Sequence, residues 1–348
     1  MNRKAILPIL SFLERFYSLL TFSERKFFEN IPFLKYLPDC CTISVGNLST
    51  GGTGKTPVLM ELLKTPYLSG RKAVLTRGYK SFYERSFFIL HGNQLFLNGI
   101  TDEALLINRY FPEIPVFLGK NRFHSAVMAE KLFKPDIIFL DDGFQYRRIR
   151  KDCEIVLWDS NDNPEEAYML PRGKFREPLT RLFDAGILLL TKCESVNSEK
   201  IVDLKRYFYF RFPQLNIFEC KTIFDGIYDC VLKAHSFYVS NKNSERVFAF
   251  CAIATPESFF RHLENSGFEI VGKKVFRDHY FYSGADLDQI TKQAAVLNAR
   301  PVCTEKDYVK IMSQKASEMR LLVFRIRTEI ENAFYKAIAD ISRNGSKK

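Results

Sequence analysis

The sequence predicts an α/β protein. A P-loop NTPase-like parallel-sheet domain with an amphipathic N-terminal helix is followed by a smaller α/β domain, the two joined by a two-stranded linker. Three observations predict it. From Thr42 onward, short apolar runs alternate with stretches of helical spacing, the pattern of a parallel sheet covered on both faces. A glycine-rich segment, Ser49-Thr50-Gly51-Gly52-Thr53-Gly54-Lys55-Thr56, sits between the first apolar run and the first helix. A strongly apolar run at 136–140 ends in the paired carboxylates Asp141 and Asp142. The 348 residues suffice for about two domains. With 46% hydrophobic and 26% charged residues, disorder, collagen and coiled coil are excluded as the main architecture.

The elements follow in order. Residues 1–38 form an arm. Its apolar stretch at 5–13 is interrupted by Glu14 and Arg15, short of the roughly 18 apolar residues of a spanning helix. No small-residue cleavage site follows, which excludes a signal peptide. Ile6, Ile9, Leu10, Leu13, Phe16, Tyr17 and Leu20 recur at helical spacing among Arg3, Lys4, Arg15, Arg25, Lys26 and Lys35. That pattern fits an amphipathic helix in a membrane interface, and equally one packed on the protein's own core. Strands at 42–45, 72–76, 116–118, 136–140, 154–158 and 186–190 interleave with helices at 55–64, 102–110 and 121–133, placing the first domain at 39–215. Residues 216–223 and 227–232 read as a hairpin or ribbon around Asp225-Gly226, in a linker over 216–246 that ends in the polar stretch 240–246. A new βα pattern at 247–253, 257–265 and 268–271 opens the smaller domain, 247–348, whose tail at 344–348 reads as disordered.

Charge and composition narrow the partners. A net charge of +11 favours acidic ones: nucleic acid, anionic lipid or phosphorylated substrates. No aromatic-plus-basic ribonucleoprotein motif or zinc motif supports nucleic acid. Eight cysteines without a C-x-x-C pair are too few for a disulfide scaffold and suit a reducing cytosol. The 33 phenylalanines beside one tryptophan serve either the cores or a lipid surface.

The chemistry starts at Ser49–Thr56. Glycines let backbone N–H groups converge on phosphate oxygens, and the helix N-terminus adds partial positive charge. Lys55 is placed to reach the β- and γ-phosphates, and the Thr56 hydroxyl to bind Mg²⁺. Ser49 stands where such loops usually begin with glycine. Asp141 or Asp142, at a strand end, can hold Mg²⁺ directly or through water. Together these say nucleotide triphosphate and Mg²⁺, without saying kinase, GTPase, ligase or motor. Thr101-Asp102-Glu103 reads either as an N-cap followed by acids that suit the helix dipole, or as a general base and a metal-site carboxylate. His279, in Arg277-Asp278-His279-Tyr280, is structural or functional on pattern alone. Arg77, Tyr79, Arg122 and Arg176 are candidates for anion contacts, and 170–178 is a basic, proline-bounded loop. A P-loop ATPase or ligase, and a membrane-tethered nucleotide-binding module, remain alternatives; the signature lysine of related ATPases is absent at Thr50.

An ordered set of motifs resembles the tetraacyldisaccharide 4′-kinases of lipid A biosynthesis along nearly the whole chain. It comprises Val45 to Ser49 with the P-loop, Arg77-Gly78-Tyr79, Asp102-Glu103, Gly119 to Arg122, Asp141 to Gln145, and Arg176-Glu177-Pro178. Phe250 to Phe259, Asp278-His279 and Thr304-Glu305-Lys306-Asp307 continue it. The resemblance implies two α/β domains with the active site in the cleft between them. It implies transfer of the γ-phosphoryl of ATP to the 4′-hydroxyl of a tetraacylated glucosamine disaccharide 1-phosphate, at the cytoplasmic face of the bacterial inner membrane. By position, Asp102 is then the base, His279 its orienting partner, and Lys55, Arg122 and Arg176 catalytic cations. Ser49 to Thr56 bind nucleotide; Thr56, Glu103, Asp141 and Asp142 arrange metal; Asn47, Arg77 and Tyr79 contact substrate. Two departures stand out. Tyr146 follows Gln145 where the family commonly has histidine. Leu170-Pro171-Arg172-Gly173-Lys174 adds two positive charges, expected to adjust contacts to an anionic substrate.

Overall fold

The computed structural model describes residues 3–31, 35–79, 81–92, 99–232, 234–236 and 245–345. Its centre is strand β1 (Cys41–Asn47), buried at every position, as a strand covered on both faces must be. Parallel to it run β5 (Ile137–Asp141) on one side and β6 (Cys153–Asp159) on the other. Outward from β5 lie β2 (Lys72–Thr76), β4 (Val116–Leu118) and the antiparallel edge strand β3 (Phe88–Leu90). Outward from β6 lie β7 (Ile187–Thr191) and β8 (Asn216–Asp229), both parallel.

Helices cover both faces. Helices α2 (Lys55–Lys64), α3 (Asp102–Tyr110) and the C-terminal α10 (Asn332–Gly345) pack one core, with Val58, Leu62, Leu106, Phe334 and Ile338 against Ile43, Val45 and Phe139. On the opposite face, α4 (Arg122–Phe133) buries Ala126 and Ala129 against Leu75 and Ile138. There α5 (Ser198–Arg211) buries Ile201, Leu204 and Phe208 beside Trp158.

Beyond β8 the sheet continues through β13 (Leu322–Ile330), β12 (Arg300–Thr304), β10 (Arg246–Cys251) and β11 (Glu269–Val275). This part has its own cores, under α6 (Pro256–Asn265) and α7 (Gly284–Val296). A short helix α8 (Glu305–Tyr308) follows β12 directly, and another, α9 (Ser313–Glu318), precedes β13.

The expected hairpin around Asp225-Gly226 is not formed. Residues 216–229 make one strand, whose antiparallel partner is β13. The pairing skips from Phe224–Ile326 to Gly226–Arg325, leaving Asp225 as the extra residue of a bulge with Gly226 at φ +121°. A glycine that tolerates this backbone looks, in sequence, like a turn. The actual return strand, β9 (Ala234–Ser236), pairs with Ile227–Asp229 further on. Residues 240–244 of the polar stretch lie outside the described residues. Of the tail expected to be disordered, Asn344 and Gly345 end α10, and 346–348 lie outside the described residues.

The arm is helix α1 (Arg3–Asn30), 28 residues or about 42 Å at 1.5 Å per residue. Its facing is inverted relative to a soluble amphipathic helix. Leu10, Ser11, Glu14, Tyr17, Ser18, Thr21, Arg25 and Phe28 are its partly buried positions among those described, a largely polar stripe. Leu7, Ile9, Phe12, Leu13, Phe16, Leu19, Leu20, Phe22 and Phe27 point out, 42–70% exposed. Among the described residues no helix is long and apolar enough to cross a membrane.

Candidate active site

The C-terminal end of β1 carries Asn47 and Leu48 into the glycine-rich loop. Gly51 and Gly54 hold φ of +114° and +86°, conformations that a side chain rarely permits. Gly54 is the N-cap of α2, so Lys55 and the buried Thr56 begin the helix at the mouth of the loop. Lys55 Nζ lies 3.3 Å from Asn47 Oδ1 and 3.6 Å from Asp142 Oδ1.

Asn47 Oδ1 also accepts from Arg176 Nη2 at 2.6 Å. Arg176 forks the Asp142 carboxylate, with Nη2–Oδ1 at 2.9 Å and Nη1–Oδ2 at 3.1 Å, the strong bidentate form. Burial works to raise the Asp142 carboxyl, but this fork and the charges of Lys55 and Arg122 hold it well below the usual range. Asp141 goes the other way. Burial, then the charge of Asp142, raise it, and it accepts from the Thr76 hydroxyl at 3.3 Å. Arg122, at the start of α4, is buried. Its Nη1 donates to the carbonyls of Asp142 (2.9 Å) and Asp141 (3.4 Å), and its guanidinium lies 4.9 Å from the centre of the Tyr146 ring. The Tyr146 hydroxyl accepts the Phe123 N–H at 2.8 Å. The residue that departs from the family pattern thus braces the segment holding Arg122.

The second cluster sits at the start of α3. The Thr101 hydroxyl accepts the Ala104 N–H at 3.3 Å, so the N-cap reading of this segment holds. The next side chain does more. Asp102 Oδ1 lies 2.7 Å from His279 Nδ1. His279 comes from the loop after β11, with φ +64°, and its own N–H donates to the Ala252 carbonyl at 3.2 Å. A histidine held in the left-handed region is a strained residue that its surroundings must enforce. Burial pushes Asp102 up, but the His279 hydrogen bond and the charge of Lys306 outweigh it and keep the carboxyl far below the usual range. The same hydrogen bond raises His279 above its ordinary 6.5, against burial. Lys306, from α8, donates to Glu103 Oε1 at 2.8 Å. Burial raises the Glu103 carboxyl and Lys306 opposes it.

The two clusters are neighbours. The charge of Asp141, like those of Glu103 and Asp102, acts on Lys306 and keeps it protonated against burial. The loop carrying Ala252 also carries Ala254, and a Cβ placed on Gly52 would fall 3.9 Å from the Ala254 Cβ. Phosphate loop, paired carboxylates and Asp102–His279 pair therefore surround one space.

Arg77 pairs with Glu84 at 2.7 Å and lies 5.4 Å from the Tyr79 ring centre; Tyr79 itself is exposed. The Arg77 charge is felt at Arg122, which puts it at the rim. Both added cations of the 170–178 loop are in ion pairs, Arg172 with Glu14 at 3.2 Å and Lys174 with Asp162 at 2.5 Å. Sequence reading gave no role to Lys306, although Thr304–Asp307 stood out as a motif, and none to Glu14, which only interrupted an apolar run.

The family model described as Tetraacyldisaccharide-1-P 4′-kinase matches residues 6–343. The chain belongs to the tetraacyldisaccharide 4′-kinase family. It is a kinase of lipid A biosynthesis. Among similar curated proteins are the tetraacyldisaccharide 4′-kinases of Desulfotalea psychrophila, Halothermothrix orenii and Syntrophus aciditrophicus. The first is 34% identical over 303 residues, 85% of each chain. The second is 31% identical over 325 residues, 88% of this chain and 83% of that one. The third is 31% identical over 376 aligned positions, 99% of this chain and 95% of that one. The crystal structure of LpxK from Aquifex aeolicus in complex with ATP superposes with a TM-score of 0.76 at 25% identity, covering 98% of this chain and 99% of that one. The chain thus has the α/β P-loop architecture that its sequence predicts, with the ribbon redrawn as above.

Proposed function

We propose that this chain transfers the γ-phosphoryl of ATP to the 4′-hydroxyl of a tetraacylated glucosamine disaccharide 1-phosphate, with Asp102 receiving the hydroxyl proton. The Asp102–His279 pair beside the phosphate loop carries this reading. Lys55 and the N–H groups of 49–56 bind the β- and γ-phosphates. Arg176 and Arg122 brace the Asp141–Asp142 turn against Asn47 and the loop. The new O–P bond forms as the bond to ADP breaks, and the proton passes from the 4′-hydroxyl to Asp102. A carboxylate held this low is a weak base. Phosphoryl transfer with a loose transition state asks for placement and charge neutralisation more than early proton removal. His279 fixes the carboxylate's orientation, and Lys306 keeps it ionised. Arg77 and Tyr79, at the rim, are placed to contact the sugar substrate.

The donors fit Mg²⁺: the Thr56 hydroxyl and the Asp141 carboxylate are hard oxygen ligands at the loop, while both oxygens of Asp142 are held by Arg176, so Asp142 would act on the ion through its charge. The ion would neutralise charge on the transferred phosphoryl group. Glu103 was also expected among the ligands; its carboxylate is committed to Lys306, so its part here is to hold that ammonium beside Asp102. Asp102, Glu103 and His279 could offer ligand atoms within 4.8 Å of one another, but the His279–Asp102 and Lys306–Glu103 contacts favour proton handling there.

The inverted facing of α1 favours a membrane interface over a core, and the lipid substrate favours the cytoplasmic leaflet of the inner membrane. We place the arm at 1–38, the P-loop domain at 39–215, the linker at 216–246 and the smaller domain at 247–348; the separate cores on either side of β8 support this division up to β13, whereas Ile330 and α10 pack on the core of the P-loop domain. The test is mass spectrometry of the disaccharide 1-phosphate after incubation with protein, ATP and Mg²⁺. A product one phosphate heavier, absent with Lys55→Ala, is expected. ATP hydrolysis without that product would return the reading to an ATPase.

A further inference from the structure

Glu14 is an acid on the inward face of a helix whose outward face is apolar. Its carboxylate holds a single loop with both oxygens. Oε1 accepts the Met169 N–H at 2.8 Å, and Oε2 accepts Arg172 Nη1 at 3.2 Å. The side chain is only 17% exposed, so these contacts are largely shielded from water.

The loop it holds is closed and stiff. Gly173 N–H donates to the Met169 carbonyl at 2.9 Å, Leu170 N–H to Phe175 at 2.8 Å, and Phe175 N–H to Tyr168 at 3.1 Å. A Cβ on Gly173 would fall 2.2 Å from the Tyr168 carbonyl oxygen, so the turn admits no side chain there. The Arg172 guanidinium lies 3.6 Å from the Tyr168 ring centre. Phe175 stacks on the buried Trp158 at 5.4 Å.

The far end of this loop is joined to the phosphate loop. The Lys174 carbonyl accepts both the N–H (2.7 Å) and the hydroxyl (3.1 Å) of Thr50. Arg176 N–H donates to the Leu48 carbonyl at 2.7 Å. Arg176 is also the side chain that forks Asp142. A continuous chain of short contacts therefore runs from α1 through 168–176 to the phosphate loop and its arginine.

We propose that Glu14 is a positioning residue that ties the seat of α1 to the phosphate loop and Arg176. Seating α1 on a lipid surface then fixes the site's geometry as well as its location. This rests on the membrane reading of α1, but the strap itself operates wherever the helix is seated. Misplacing reacting groups by about 1 Å can cost up to a hundredfold in rate. Glu14→Ala should lower kcat about tenfold and raise the KM for ATP, with sedimentation on phosphatidylglycerol vesicles unchanged. Glu14→Gln, which keeps an acceptor for Met169 N–H but loses the charge facing Arg172, should fall between.

Arg172→Ala removes the other end of the strap without touching α1. The double variant should be no worse than Glu14→Ala alone, because both remove one connection. Additive losses, or kinetic constants of Glu14→Ala within twofold of wild type, would overturn the proposal. Wild-type protein that fails to sediment with vesicles would instead sink the membrane reading. The same kinetic cycle in detergent micelles then still decides the strap.

Discussion

At the scale of single residues, two carboxylates at one site are pushed in opposite directions by what touches them. Asp142 is forked by Arg176 and held low; Asp141, buried beside it, is raised. Asp102 is buried and yet held low, because His279 and Lys306 outweigh burial. Removing His279 should therefore move the acid limb of kcat/KM to higher pH, since burial then acts on Asp102 with less opposition. In His279→Gln we expect kcat to fall about 10- to 100-fold and the acid limb to rise; an unmoved limb would make His279 a structural residue only. The same pair has a stability signature of defined sign. His279 has a raised pKa in the folded protein, so its contribution is fully present below pH 6.5 and is lost as pH climbs through the raised value. The Tm gap between wild type and His279→Gln should be largest below pH 6.5 and shrink above it.

At the scale of elements, the sequence was most legible where period and punctuation agree. Helices 55–64 and 102–110 begin where the glycine loop and the Thr101 cap predict. The strands around β1 read as continuous apolar runs because both their faces are covered. Asp225-Gly226 misled because a bulge glycine and a turn glycine present the same local text, and the partner strand lies about a hundred residues on. For the arm, period alone gave a helix but not its facing. Which stripe faces the body is decided by Glu14 finding the Met169 N–H and Arg172 there, with Arg147 Nη1 donating to the Thr21 backbone carbonyl at 3.4 Å on the same side. That facing makes a direct prediction. Replacing Leu7, Phe12, Phe16 and Leu19 with serine removes four exposed side chains, each worth roughly 1 kcal/mol or more on burial in lipid. Vesicle affinity should drop at least a hundredfold, since each 1.4 kcal/mol is tenfold, with Tm unchanged. A loss of Tm with vesicle affinity retained would mean these side chains pack on protein.

At the scale of the molecule, the candidate site is built from both halves of the chain, which is why only part of it could be read in advance. Phosphate loop and carboxylate pair are local motifs, each visible in its own ten residues. The environment of Asp102 is not local. His279 arrives from 177 residues away and Lys306 from 203 residues beyond Glu103, brought there by β8 and β13, which carry one sheet through both halves. Further contacts stitch the same seam: Tyr110 hydroxyl to Glu305, Arg325 Nε to Glu305 at 2.7 Å, and the Arg109 guanidinium 4.2 Å from the Tyr308 ring centre. Lys306 is thus where the second half sets the charge state of the first. Lys306→Met keeps the length of the side chain and removes the ammonium. Asp102 and Glu103 then lose the cation that opposes burial, and both carboxyls should rise. Activity that depends on ionised Asp102 should fall at neutral pH and recover in part as pH is raised. The KM for ATP should change less than kcat, because the phosphate loop and its arginine fork are untouched and Lys306 reaches them only through the charge of Asp141. A pH-independent loss would place Lys306 in substrate contact rather than in charge control. Activity equal to wild type across the range would show that His279 alone keeps Asp102 ionised.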